Sequence, residues 1–138
     1  MSRLTQFRNL SPADRRLLAQ AVVWVAAARC ALALLKLETV SRFARRCQRR
    51  GREGSDPAKR IGWAVAAAGR YVPRSTCLAE AFAAHVLMRR NGLPSVICVG
   101  VARNVSPGFR AHAWVECAGQ IAIGSAESPD FTPILRIG

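Results

Sequence analysis

Acidic side chains are scarce in this chain of 138 residues: eight Asp and Glu stand against 21 Lys and Arg, a formal charge of +13. That imbalance implies a partner of opposite sign, whether nucleic acid, lipid headgroup or an acidic peptide or protein. The five cysteines are odd in number and none are spaced as CxxC, which argues against a disulfide framework or a zinc site and fits a reducing cytosol. No short apolar region is followed by the small-residue cleavage site of a secretory signal. The sequence lacks the alternation of aromatic and basic residues of an RNA platform, and it lacks the recognition helix of a DNA reader. Nucleic acid is therefore not the expected partner, in spite of the charge. There is no internal repeat.

What is present is apolar material: 51% of the residues are hydrophobic, enough for one domain spanning 1–138 but not for two independent cores. The apolar run from Leu17 to Leu37 is long enough to suggest a membrane span. Arg29 interrupts its centre, and a central Arg costs roughly 2.5–3.5 kcal/mol in a bilayer. The expected reading is a buried amphipathic helix, with peripheral membrane contact as the lesser alternative.

Taken in order, Ser11-Pro12-Ala13-Asp14 is a helix start, with a capping hydroxyl, a proline suited to the first turn and an acid at the positive end of the dipole. The spacing predicts a helix from there to about Lys36 and a second over Glu38–Arg50, ringed by arginines. Gly51 to Pro57 breaks the pattern as a linker, and Asp56-Pro57 opens a third helix to about Arg70. Pro73 then forbids helix immediately before it, and Ser75 or Thr76 can cap the next one, so Cys77 falls in a first turn. Leu78, Phe82 and Val86 recur at spacing four and are expected to dock that helix on a sheet. Gly92-Leu93-Pro94 ends it, and Val96–Val101 reads as a strand.

A sulfur at a helix N-terminus sits among unpaired amide hydrogens at the positive end of the dipole, an environment that favours a thiolate and can hold a developing oxyanion. Cys30, Cys47 and Cys98 lie in runs with no such feature and read as inert small hydrophobes. A nucleophilic cysteine needs a base, and the chain has two histidines. His85 lies eight residues along the same helix, roughly 12 Å away, and reads as a packing residue. His112 lies in the alternating run Phe109–Cys117, where Arg110, His112, Trp114 and Glu116 share one face and Ala111, Ala113, Val115 and Cys117 the other. Cys77 and His112 are thus the candidate nucleophile and base.

The run Thr76-Cys77-Leu78, then Leu87-Met88-Arg89-Arg90-Asn91-Gly92, Gly100-Val101, Ala111-His112-Ala113-Trp114-Val115-Glu116 and Thr132-Pro133-Ile134-Leu135 resembles the lasso-peptide maturation proteases. These are B-type leader peptidases, a transglutaminase-like branch of the papain-like cysteine enzymes. The likeness covers roughly residues 73–135, and the length suggests the split form, in which leader recognition belongs to a separate small protein. The resemblance implies removal of the leader from a ribosomal precursor peptide in the cytoplasm. A recognition protein would present that leader, and an ATP-dependent cyclase would close the ring on the new N-terminus. It implies Cys77 as nucleophile and His112 as base and then acid, with no metal or cofactor.

The family pattern also expects an Asp about a dozen residues after the histidine, and here that place is taken by about Gly124. With Ala118-Gly119 as a two-residue hairpin loop, Cys117 pairs with Gln120 and His112 falls opposite Ser125. Glu116 shares the face of His112 but lies about 13 Å along the strand. Glu127 is the nearest carboxylate and the candidate third member, with Asp130 behind it and a backbone carbonyl as the alternative.

The eight basic residues from Arg42 to Arg60 suggest a docking surface for an acidic partner, either the recognition protein or the leader. Three function classes result: a leader peptidase, another transglutaminase-like thiol amidase or acyl transferase, and a non-enzymatic basic binding module. The expected architecture is α+β. A helical part (1–72) precedes a core (73–138) in which the Cys77 helix packs on a small antiparallel sheet of Val96–Val101, Phe109–Cys117 and Gln120–Ile123, with Asn104–Gly108 as a loop beside His112.

Overall fold

The computed structural model describes residues 8–46, 55–102, 110–124 and 131–138. Among the described residues, four helices precede a four-stranded sheet: α1 (Pro12–Leu34), α2 (Leu37–Arg46), α3 (Ser55–Gly69), α4 (Cys77–Arg90), β1 (Ser95–Ala102), β2 (Arg110–Cys117), β3 (Gln120–Ile123) and β4 (Thr132–Ile137). The architecture is α+β, as the sequence pattern indicates. Expectations that fall on Cys47, the loop Asn104–Gly108, Ser125, Glu127 and Asp130 lie outside the described residues.

Local chemistry sets the helix starts. Ser11 caps α1 by accepting from the Asp14 amide at 3.1 Å, with Pro12 in the first turn. The carboxylate of Asp14 also accepts from Arg60, tying the start of α1 to α3. Thr76, rather than Ser75, caps α4, accepting from the Ala79 amide at 3.2 Å. Ser75 instead donates to Glu80 at 3.0 Å.

α4 is the centre of the molecule. Every residue from Ala81 to Met88 is buried, because α1 and α3 pack on one side of the helix and β1 and β2 on the other. A helix enclosed on all sides carries no polar stripe. Three of these positions are alanine, namely Ala81, Ala83 and Ala84, and Ala79 just before them is buried too, which lets neighbouring backbones approach. Phe82 and Val86 belong to the core shared with the sheet and also line a cleft with Trp24, Ala27 and Ala31 of α1 and with Val40 and Phe43 of α2. On the sheet side His85 adds a polar contact: its Nδ1 shares a 2.7 Å hydrogen bond with Ser95 at the start of β1.

The sheet order is β3-β2-β1-β4, antiparallel throughout. Ile97, Ala113, Val115, Cys117 and Ile137 join the main core under the helices, while Cys98, Trp114 and Phe131 form a second cluster on the opposite face. That division matches the alternation in β2. The Ala118-Gly119 turn has both residues at positive φ (51° and 75°) and pairs Cys117 with Gln120, as expected of a primed hairpin turn. A bulge then shifts the register, setting Val115 opposite Ile123 rather than Ala122, so the straight count from His112 to Ser125 does not hold. At the bulge α3 crosses so closely that a methyl group on Gly62 would run into the Ala122 carbonyl. β4 was not expected as a strand. Pro133 argues against an interior strand, and β4 lies on an edge, pairing with β1 across an irregularity at Val99/Gly100 where a missing donor is tolerated.

α1 also differs from expectation. Its buried stripe is narrow (Leu18, Ala21, Val25 and Ala28) and its outer face is apolar rather than polar. Among the described residues it is the one helix long and apolar enough to cross a membrane, by length and composition alone.

His85 gives the fold a pH dependence. It has no exposed surface, its Nε2 has no hydrogen-bond partner, and burial, aided by the nearby Arg89 cation, pushes its pKa down to about 4. An unfolded histidine titrates near 6.5. The folded-state value is depressed, so the unfolded chain binds more protons between the two values and stability falls as pH drops from about 6.5 to about 4. The expected loss over that window is about 3 kcal/mol. Urea unfolding at pH 7 and pH 4.5 should show it, with the slope flattened in His85→Met; an unchanged slope in the variant would assign the effect elsewhere.

Candidate active site

Cys77 is the first residue of α4 and is exposed. Thr76 engages the Ala79 amide with its side chain and the Glu80 amide with its carbonyl. The first-turn amides of Cys77 and Leu78 have no carbonyl a turn behind them inside the helix, so the sulfur shares its surroundings with donors. The turn ahead of it is held in an unusual shape. Arg74 has φ 57°, a left-handed conformation rare outside glycine, and its carbonyl accepts from Nε of Arg29 at 2.9 Å. The cation in the middle of the apolar helix thus fixes the approach to Cys77. Glu80, in the first turn, is held by Ser75 and packs against Gly69; burial raises its carboxyl pKa, partly offset by the serine hydroxyl.

Connectivity brings His112 to the same end of the domain. After α4 the chain turns through Asn91–Pro94, where the Leu93 amide bonds to the Met88 carbonyl at 2.8 Å, and β1 returns along the helix. β2 reverses again, with His112 opposite Gly100 near the far end of β1. The start of α4, the end of β1 and the start of β2 therefore share one edge of the fold. The His112 ring itself lies on the sheet face turned away from α4, stacked with Trp114 (centroids 6.1 Å apart, 22° between planes) and tilted against Phe131 (5.2 Å). It is buried, at 8% exposure.

The acceptor of the imidazole is a backbone group. Nε2 of His112 donates to the Gly124 carbonyl at 3.0 Å. A carbonyl can only accept, so Nε2 carries the hydrogen and Nδ1 is the basic nitrogen of the neutral ring. Gly124 stands at the place where an Asp was expected, and its backbone explains why it holds no side chain. It has φ +84°, and a Cβ there would lie 2.9 Å from Cβ of Trp114, 3.1 Å from the Ala113 carbonyl and 3.2 Å from Nε2 of His112. This contact was the alternative the sequence offered to Glu127, and no side-chain pattern marks it.

The other titratable groups are engaged elsewhere. Glu116 accepts from Nε1 of Trp114 at 3.2 Å and from Arg136 at 3.1 Å, and those donors, the indole first, hold its carboxyl below the usual range. Burial pushes the thiols of Cys98 and Cys117 up, which keeps them neutral. His85 is walled in with Ser95, as a packing histidine. No group of three His, Cys, Asp or Glu able to hold a metal occurs among the described residues.

The family model described as the transglutaminase-like superfamily matches residues 21–136. Its members are, in general, cysteine-dependent enzymes, and membership suggests activity of the thiol protease or acyl transferase type. No curated protein and no solved structure gives a significant match.

The Gly124 contact makes a prediction. Long-range nitrogen–proton NMR on the wild type should show His112 as the Nε2–H tautomer. Gly124→Ala should abolish that preference and cost about 1–3 kcal/mol through the left-handed backbone and the displaced ring. Retention of the tautomer in the variant would contradict the assignment.

Proposed function

The chain belongs to the transglutaminase-like superfamily, and on that premise we propose that it is a cysteine peptidase that removes the leader from a ribosomally made lasso-peptide precursor. Two observations support the reading: an exposed thiol at the start of a buried helix, and an imidazole whose Nε2–H is committed to a carbonyl; that the two meet is part of the proposal. The Ala-His-Ala-Trp-Val-Glu and Thr-Cys-Leu elements supply the likeness to leader peptidases.

The chemistry follows from the tautomer. Nδ1 of His112 takes the Cys77 proton, and the thiolate attacks the scissile carbonyl carbon, forming a tetrahedral oxyanion beside the first-turn amides of α4. The C–N bond breaks as the imidazolium returns its proton to the leaving amine, which is the new N-terminus of the core peptide. Water, deprotonated by Nδ1, then opens the thioester, releasing the leader with a free carboxylate and restoring the thiol. The Gly124 carbonyl keeps the ring oriented and shares the positive charge of the imidazolium; Glu127 is the carboxylate that can supplement it. In an acyl transferase an amine replaces water at the second step.

The working context is cytoplasmic. A separate recognition protein presents the leader, and an ATP-dependent cyclase uses the freed amine. The basic segment Arg42–Arg60 is the surface for an acidic partner. Within it Arg42 is paired with Glu38 and Arg60 with Asp14, while Arg46 and Lys59 are exposed.

The test is incubation with the precursor and recognition protein, with products read by mass spectrometry. Wild type should release leader and core peptides, Cys77→Ala should release neither, and Glu127→Gln should retain activity to within about tenfold if the carbonyl is the main orienting group. Label transfer to an added amine without cleavage would select the acyl transferase. Steep salt-dependent binding of random DNA with an unreactive Cys77 would leave a basic binding module.

A further inference from the structure

α1 and α2 end in a corner that the fold leaves uncovered. Leu34 is 83% exposed, Leu35 53% and Leu37 39%, with exposed Lys36 among them. Further along the same side, Val23 is 65% and Phe43 52% exposed. Of the 18-residue apolar window in α1, 17% is buried. From Arg15 to Arg52 the chain carries ten basic residues and a single acid, Glu38, and that acid is already paired with Arg42. Arg42 and Arg46 are exposed on α2; they form the α2 end of the basic segment assigned above to an acidic partner, and a lipid surface would take that end while Lys59 and Arg60 remain for the protein partner.

We propose that this corner docks on an anionic lipid surface, with Leu34, Leu35 and Leu37 entering the boundary between headgroups and acyl chains and Lys36, Arg42 and Arg46 meeting the lipid phosphates. Shape and charge together select this occupant. The leucines sit where α1 gives way to α2 and their side chains are exposed, so they project from the fold rather than line its apolar cleft between α1, α2 and α4. Apolar projections ringed by cations suit the interfacial layer of a membrane, which offers hydrocarbon beneath a sheet of negative charge. Arg29 makes the same helix a poor span, because its guanidinium is committed to the Arg74 carbonyl. Contact is therefore peripheral. It does not depend on the catalytic reading, since no residue of the corner belongs to that site.

The experiment is co-sedimentation of the full chain with vesicles of phosphatidylcholine containing one quarter phosphatidylglycerol, against phosphatidylcholine alone, at 0.1 M salt. Wild type should partition at least about tenfold better on the anionic vesicles, each cation near the surface contributing roughly fivefold. Leu34→Glu with Leu35→Glu should lower partitioning on anionic vesicles at least about tenfold, with far-UV circular dichroism and thermal midpoint unchanged because both side chains are exposed. If that pair lowers the midpoint, Leu34→Ser alone should still cost about fivefold. Arg42→Glu with Arg46→Glu should weaken binding and flatten its salt dependence. The proposal is overturned if anionic vesicles do not bind the protein, or if binding persists in the leucine variants and so reflects charge alone. It is equally overturned if wild type forms a dimer in solution that Leu34→Glu with Leu35→Glu dissolves, which would make the corner an interface between copies.

Discussion

The enclosure of α4 constrains everything else in the molecule. A helix buried from Ala81 to Met88 cannot slide or rotate without opening voids, and interiors packed to crystal-like density resist such changes strongly. Its small residues admit α1 and α3 on one side and the sheet on the other. The same burial leaves only the two ends of the helix in contact with solvent. At the first end stands Cys77, and at the other the chain turns back into β1 through Leu93. A thiol that would be inert in mid-helix thus becomes the exposed terminus of a helix buried along most of its length.

The imidazole is held differently. Packing of Trp114 and Phe131 sets the plane of the His112 ring, and the Gly124 carbonyl sets its tautomer. A carboxylate in that role would add a full charge, whereas a carbonyl offers a dipole that is smaller but needs no desolvation of an ion. The trade is consistent with a chain that has few acids to spend. The left-handed backbone at Gly124 and the crowding around its Cα make carbonyl and side chain mutually exclusive there.

Much of this was legible in the residues. The caps at Ser11 and Thr76, the alternation of β2 and the Ala118-Gly119 hairpin rest on local chemistry, which a sequence displays directly. What escaped depended on contacts between distant segments. The bulge at Ala122 answers the close crossing of Gly62, and the edge position of β4 is what excuses Pro133. The role of Gly124 is played by a main-chain atom, which no side-chain motif can announce. Phe82 and Val86 also line the cleft against α1 and α2, because a helix enclosed on all sides gives spacing alone no means of choosing a single face. The outer face of α1 misled in the opposite sense, since its apolar length implied burial that the fold does not supply.

The central claim is that the sulfur of Cys77 and the imidazole of His112 act as one unit across the edge shared by α4 and β2. The most direct measurement is the rate of Cys77 alkylation by iodoacetamide at pH 7, resolved from the other cysteines by peptide mass mapping, in wild type and in His112→Ala. A coupled pair predicts that removing the imidazole slows alkylation at this one position by at least about tenfold while exposed Cys30 reacts as before. Equal rates in the two proteins would show that the thiol and the ring work apart, and the catalytic account would fail.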